Sequence, residues 1–453
     1  MSREISILLV NPWIFDFAAY NLWIEPLGLE YIASLLKMSG VRVSVIDCLN
    51  SKLIKNPREK PNGCSKFKRT TIPKPVALNF VKRHYAMYGI STEEFFDRLK
   101  AIEQPDVIML TSIMTYWYPG VFRTIELLRD FFGKRIPILL GGIYASLCKK
   151  HAEAFSGADI VYADRNISPL LKIIENITEK TLKIKRVPES FKEWPIPDHW
   201  LFKGKSKNFF AILTQKGCPF RCSYCASPLL NGAIEKRSVE SVVQEILVYS
   251  KLLDTKNIAF YDDALLLNAP EHLIPILEKV SLNNPNLRFH LPNAIHSRFM
   301  TFKIAKIFYE TGFKTIRIGF ETSNVILQKV TGNKVSNDDY LKSVEVLKKA
   351  GYKKEDIGVY ILVGLPGQKP SDVEETIKFV DKSGASPYLS FFSPIPQTPL
   401  FKKAAEISKI DIEKEPLFQN NSIYILTHPE FSEESIQYLK EMVMDIRKIR
   451  EKD

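Results

Sequence analysis

Phe209–Thr214 followed by Gln215-Lys216-Gly217-Cys218-Pro219-Phe220-Arg221-Cys222-Ser223-Tyr224-Cys225 is the stretch on which the fold turns. A short apolar, aromatic run reads as a buried strand, and it delivers three cysteines at spacings of four and three residues directly after its end. Three thiolates so spaced can wrap one loop around a cubane iron-sulfur cluster, which has four irons, so one iron is left without a cysteine ligand. An open coordination position is what separates a catalytic metal from a structural one. The other readings are a zinc site, a four-cysteine electron-transfer cluster completed by Cys48, Cys64 or Cys148, and a redox disulfide at Cys222 and Cys225, which leaves Cys218 unexplained.

Downstream, strands are expected at Ile258–Tyr261, Leu287–Leu291, Thr315–Phe320, Ile357–Val363 and Tyr388–Ser393. Helices are expected near Val239–Leu253, Glu271–Ser281, Thr301–Glu310, Asn337–Lys349 and Lys369–Lys382. Six strand-helix units over 209–400 predict a partial β/α barrel, whose chemistry sits at the carboxyl ends of its strands. Residues 401–453 read as a charged helical extension.

Upstream, Ile5–Val10, Val41–Asp47, Val107–Thr111, Ile136–Leu140 and Asp159–Tyr162 read as strands. Between them lie helical patterns at Leu27–Met38, Gly120–Phe131, Lys149–Phe155 and Ser168–Asn176. The alternation predicts a doubly wound parallel sheet over 1–178, with ligand loops after Val10, Thr111 and Leu140. An insertion at about 51–103 interrupts it, basic at first and then Tyr-rich and helical in pattern. Residues 179–208, with Trp194-Pro195-Ile196-Pro197, read as a linker.

The 453 residues carry a net charge of +12, with 45% hydrophobic and 25% charged residues. That composition excludes disordered and collagen-like classes. The basic excess concentrates in Lys52, Lys55, Arg58, Lys60, Lys66, Lys68, Arg69 and Lys74, against Glu59 alone, which suits a solvated loop or a phosphate-facing one. No apolar run is long enough to span a membrane, and Ile5–Val10 is too short for a signal sequence, so a cytoplasmic protein is expected.

The cysteine spacing, with an aromatic residue before the last thiol, resembles the radical S-adenosylmethionine (SAM) superfamily. The resemblance implies that Cys218, Cys222 and Cys225 hold a 4Fe-4S cluster whose fourth iron binds SAM, with an electron carrier such as flavodoxin or ferredoxin as partner. It also places Tyr224 against the adenine. Asp262 and Asp263 fall where the superfamily bonds the SAM amino group, although strand-end aspartates also cap helices. Glu321 falls at the SAM ribose or amino acid, the alternative being a salt bridge with Arg317. Gly364 falls where the backbone nears adenine, the alternative being a simple turn. Asn293, with His296 and Arg298 after it, is a polar contact to SAM or substrate, or a satisfied loop group. Ser393-Pro394-Ile395-Pro396 resembles cobalamin-linked members of the superfamily.

The first domain is similar to the cobalamin-binding domain of many such enzymes, through Pro26-Leu27-Gly28-Leu29-Glu30, Thr111-Ser112 and Gly141-Gly142. The resemblance implies cobalamin contacts at Thr111, Ser112, Gly141 and Gly142, the alternative for the two glycines being a tight strand-to-helix turn. Two features depart from it. The Asp-x-His-x-x-Gly loop is absent, the first histidine being His84, and Tyr162-Ala163-Asp164-Arg165-Asn166 stands where an acidic glycine-rich segment is usual. The function implied is a cobalamin-dependent methyltransferase acting on an unactivated carbon. The alternatives are a radical SAM rearrangement, cyclisation or carbon-sulfur enzyme without cobalamin, and a nucleic-acid-binding protein with a structural metal site.

Overall fold

Leu27–Met38 alternates buried Leu29, Ala33 and Leu36 with polar positions, and in the computed structural model it is helical over that whole span. The structure describes residues 4–50, 60–184, 186–203 and 208–448. They form two compact units that divide at Phe210–Ala211, with Val248–Thr255 belonging to the first.

In the first unit five parallel strands, β1 (Ser6–Asn11), β2 (Arg42–Asp47), β3 (Val107–Leu110), β4 (Ile138–Leu140) and β5 (Ile160–Val161), lie in the order β5-β4-β3-β1-β2. The chain reverses direction across the sheet between β1 and β3, the switch point at which such sheets take ligands. Leu8, Val10, Ile108 and Leu110 pack on one face with Val121, Ile125 and Leu128. Ile7, Leu9, Val107 and Met109 pack on the other with Leu29, Ala33 and Leu36. Burial on both faces explains the near-continuous apolar strands.

The insertion differs from the helical pattern expected up to Glu103. Ala86–Tyr88 is a strand, paired antiparallel with Ile14–Asp16 and Arg69–Thr71, and among the described residues of the insertion helical structure is confined to a 3-10 turn at Val76–Leu78 and the α-helix Thr92–Lys100. Ile14, Tyr88, Tyr116 and Trp117 share a buried cluster under this small sheet, and Trp117 Nε1 donates to Asp16 Oδ2 at 2.8 Å. Cross-strand aromatic packing outweighs the helical propensity of the stretch. Lys66, Lys68 and Arg69 are exposed, whereas Lys52, Lys55, Arg58 and Glu59 lie outside the described residues. Residues after Thr178 fold onto the same unit: Trp194 and Phe191 meet Tyr31 edge-on, and Ser34 Oγ donates to the Ile196 carbonyl.

In the second unit six parallel strands run in chain order, β6 (Phe209–Ile212), β7 (Asn257–Phe260), β8 (Arg288–His290), β9 (Phe313–Glu321), β10 (Ile357–Val363) and β11 (Ser386–Phe391). This is the expected partial (β/α)6 arrangement. The helices Asn337–Lys349 and Pro370–Ser383 cover β9 and β10 from outside, where Phe320 stacks on Tyr340 at 4.2 Å. The C-terminal region is helical at Pro399–Ile407, Asn421–Thr427 and Glu433–Lys448. Among the described residues no helix is long and apolar enough to cross a membrane.

Candidate functional site

The chain leaves β6 through a two-residue strand, Gln215–Lys216, paired with Glu235–Lys236, and turns at Gly217. Gly217 has φ +82°, and a Cβ there would lie 2.7 Å from the Ala233 carbonyl oxygen, so the turn into Cys218 requires glycine. The three cysteines are free thiols on one loop. Burial pushes all three up, Cys218 to about 11, and the Ser227 N–H donates to Cys225 Sγ at 3.4 Å. Three free thiols carried on one loop, each shielded in part from solvent, fit a cation that takes them as thiolates and releases their protons.

Neighbouring elements brace this loop. Asp263 accepts from the Gly217 N–H at 2.8 Å and from Asn231 Nδ2 at 2.7 Å. Asp262 is buried and accepts from the Thr214 hydroxyl at 2.5 Å and the Gln215 N–H at 2.8 Å. Burial raises its carboxyl to about 7. Ser223 is tied through its N–H to the Thr331 carbonyl and through its hydroxyl to the Val330 carbonyl. Gly332, at φ +106°, passes so close that a Cβ would stand 3.0 Å from Cys222 Cα.

Tyr224 and Glu321 meet directly, the Tyr224 hydroxyl donating to Glu321 Oε1 at 3.1 Å. Glu321 follows a register shift between β9 and β10 and has φ +69°, a local distortion that re-aims its side chain. Its ion pair is with Lys334, 2.7 Å away, and not with Arg317, which lies over the Tyr388 ring. Lys334 was not singled out by the sequence; the signal lay in the Gly332-Asn333 turn, which returns the chain to the end of β9. Burial pulls the Lys334 ammonium down, but the Glu321 carboxylate more than offsets it and holds the pKa well up. Gly319 leaves room for the pair, since a Cβ there would lie 2.9 Å from Lys334 Nζ.

The remaining expected residues are dispersed around this centre. Asn293 donates to the Tyr261 carbonyl at 2.9 Å and is exposed. His296 packs its ring 4.9 Å from Phe220 of the cysteine loop, and burial lowers its pKa to about 3. Arg298 lies over the same Phe220 ring. Gly364, at φ +90°, turns beneath Ile425, where a Cβ would meet Ile425 Cδ1 at 2.6 Å, and Gln368 accepts its N–H.

In the first unit Thr111, Ser112, Gly141 and Gly142 are together at the ends of β3 and β4. A Cβ on Gly142 would stand 2.6 Å from Thr111 Oγ1 and from the Ser112 backbone. The Ser112 hydroxyl is committed to the Met114 carbonyl. The β1 side of the switch point is capped by the small antiparallel sheet, while Gly142 and Met114 remain exposed. Gly142 therefore serves the tight turn from strand to helix, packed against Thr111 and Ser112, and its other side is exposed backbone.

Residues 212–380 match the family model of the Radical SAM superfamily. An uncharacterized methyltransferase of Pyrococcus horikoshii is 30% identical over 222 residues, 47% of this chain and 46% of the relative, so the chain matches about half the length of that protein. Among solved structures, the radical S-adenosylmethionine methyltransferase TsrM of Kitasatospora setae aligns with a TM-score of 0.64 at 16% identity, covering 90% of this chain and 76% of TsrM. The cobalamin-dependent S-adenosylmethionine radical enzyme OxsB aligns with a TM-score of 0.58 at 15% identity, covering 92% of this chain and 56% of OxsB. At these identities the likeness to TsrM and OxsB is one of fold. The family match begins at Ile212, the last residue of β6, and takes in the thiol loop and the β9 end that carries Glu321, and residues 212–380 of this chain are a Radical SAM superfamily domain.

Proposed function

We propose that this protein is a cobalamin-dependent radical SAM methyltransferase acting on an unactivated carbon. The observation that carries this reading is one loop that carries three free thiols, Cys222 buried and Cys218 and Cys225 half-buried, next to the Tyr224–Glu321–Lys334 chain at the end of β9. Cys218, Cys222 and Cys225 hold the cluster. When bound, the cluster supplies the electron that cleaves SAM to methionine and a 5'-deoxyadenosyl radical, and cobalamin supplies the methyl carrier.

This chain's own residues position the reactants. Tyr224 offers an aromatic edge to adenine and fixes Glu321 by its hydroxyl. Glu321 accepts from sugar or ammonium donors of SAM, with Lys334 paired to its Oε1. Asp262 and Asp263 act through the loop that they brace, and Asn293 and Gly364 line the neighbouring strand ends. In the first unit the Thr111, Ser112, Gly141 and Gly142 corner receives cobalamin without a histidine from the β1 loop. A small electron carrier of the cytoplasm, flavodoxin or ferredoxin, delivers the electron.

Cobalamin content after anaerobic expression with the vitamin supplied tests the methyl-transfer part. Near-stoichiometric cobalamin in wild type and in Cys218→Ala is expected. No retained cobalamin beside an intact, SAM-cleaving cluster would favour a radical SAM rearrangement, cyclisation or carbon-sulfur reaction instead.

A further inference from the structure

Along β9, Ile316, Ile318 and Phe320 are fully buried, with Phe320 against the outer helices, so Arg317 and Gly319 face the opposite, concave side of the sheet, and beyond the register shift Glu321 shares that side, its Oε1 3.0 Å from where a Gly319 Cβ would stand. Register carries the same face across β10 and β11: Arg317 is level with Gly358 and Ser386, and Gly319 with Tyr360 and Tyr388. The Arg317 guanidinium occupies the space left by Gly358, where a Cβ would lie 2.7 Å from Arg317 Nη1 and 2.9 Å from Tyr388 Cε2. It sits 4.5 Å from the Tyr388 ring centroid. A second guanidinium, that of Arg447 in the C-terminal helix Glu433–Lys448, sits 4.5 Å from the same centroid.

Two cations over one ring gain some cation–π attraction and repel each other. Among the described residues neither has a carboxylate within ion-pair distance. The one carboxylate on this stretch of β9, Glu321, is taken by Lys334 and Tyr224. Arg317 donates to the Ile316 carbonyl and to the Tyr360 side chain, Arg447 Nη2 donates to the Tyr388 hydroxyl at 3.4 Å, and Arg317 is partly open to solvent; none of these partners carries a charge. The concave face thus carries uncompensated positive charge on a planar, multidentate donor, the arrangement that recognises carboxylate or phosphate oxygens.

We propose that Arg317, assisted by Arg447, binds an anionic oxygen group, carboxylate or phosphate, at the far end of the substrate. The proposal rests on the radical SAM reading for what lies at the near end. Across the register shift, Arg317 to Glu321 matches Gly358 to Ile361 on β10, three residues and about 10 Å at ~3.3 Å per residue. The substrate is therefore extended, with its anion held that far below the SAM contacts and its reacting carbon toward the thiol loop.

The test is a titration of the full chain, cluster intact and without SAM, with inorganic phosphate followed by 31P linewidth and with labelled acetate followed by 13C linewidth. Saturable binding of one anion is expected, phosphate marking a phosphoryl substrate and acetate a carboxylate. Arg317→Gln weakens that binding at least tenfold, Arg317→Lys less so, and Arg447→Gln, an exposed change that leaves folding intact, about threefold. Iron content and melting temperature equal to wild type exclude misfolding. No saturable binding by wild type, or equal affinity in wild type, Arg317→Gln and Arg447→Gln, overturns the proposal. The radical SAM reading fails separately, by absence of SAM cleavage in wild type, which this titration does not measure.

Discussion

Lys334 and Glu321, thirteen residues apart in the chain, form a 2.7 Å ion pair at the carboxyl end of β9, with both side chains nearly buried. The pair joins the turn that pins the cysteine loop to the residue expected at SAM. Removing one member leaves the other as an uncompensated charge in a low-dielectric setting. Lys334→Met is expected to destabilise the protein by about 3 kcal/mol in denaturant unfolding and to weaken SAM binding, measured by equilibrium dialysis. Wild-type values for both would remove the pair from the account.

Gly332 touches no metal, yet its backbone lies against Cys222. Gly332→Ala places a methyl group 3.0 Å from Cys222 Cα at a backbone angle that disfavours L side chains. Iron per chain after reconstitution is expected to fall well below wild type. Cys48→Ala and Cys148→Ala are expected to retain full iron, because three thiols of one loop suffice. Loss of iron in either would mean a fourth cysteine ligand.

Asp262 has its carboxyl raised to about 7 by burial, above its usual value of 3.8. Between roughly pH 4 and 7 the unfolded chain therefore releases a proton that the folded chain keeps, so this group lowers stability as pH rises through that window. Asp262→Asn removes the effect. The difference in unfolding free energy, variant minus wild type, is expected to grow more positive from pH 4 to pH 7 and then level off. A difference independent of pH would mean that the hydrogen bonds from Thr214 and Gln215 hold the carboxylate ionised.

Gly142→Ala drives a methyl group into the Thr111 hydroxyl and the Ser112 backbone in the first unit. Cobalamin content is expected to fall severalfold while iron content stays at the wild-type level. Loss of iron with retention of cobalamin would contradict the separate roles given to the two units.

Much of this was legible in the chain itself, for definable reasons. Leu27–Met38, Lys149–Phe155, Asn337–Lys349 and Ile357–Val363 carry periodic or continuous apolar patterns long enough to set their own boundaries. Arg69–Thr71 and Ala86–Tyr88 are three residues each, and Arg69–Thr71 is wholly exposed, so nothing in their composition reports a strand that exists through its partners. The meeting of Tyr224 with Glu321 follows from both lying at strand ends of one barrel. Lys334 escaped because its placement depends on the turn at Gly332-Asn333, where Asn333 adopts φ +51°, and not on any strand. Arg317, the sequence-based partner for Glu321, faces the same side of β9 but lies over Tyr388, and pattern alone does not distinguish those two outcomes.

The central claim is tested most directly by incubating the reconstituted protein anaerobically with SAM and dithionite and quantifying 5'-deoxyadenosine. Wild type is expected to form it, and Cys218→Ala, Cys222→Ala and Cys225→Ala are each expected to form none above background. Equal 5'-deoxyadenosine from wild type and any one of these variants, or none from wild type with a full iron complement, would contradict the account.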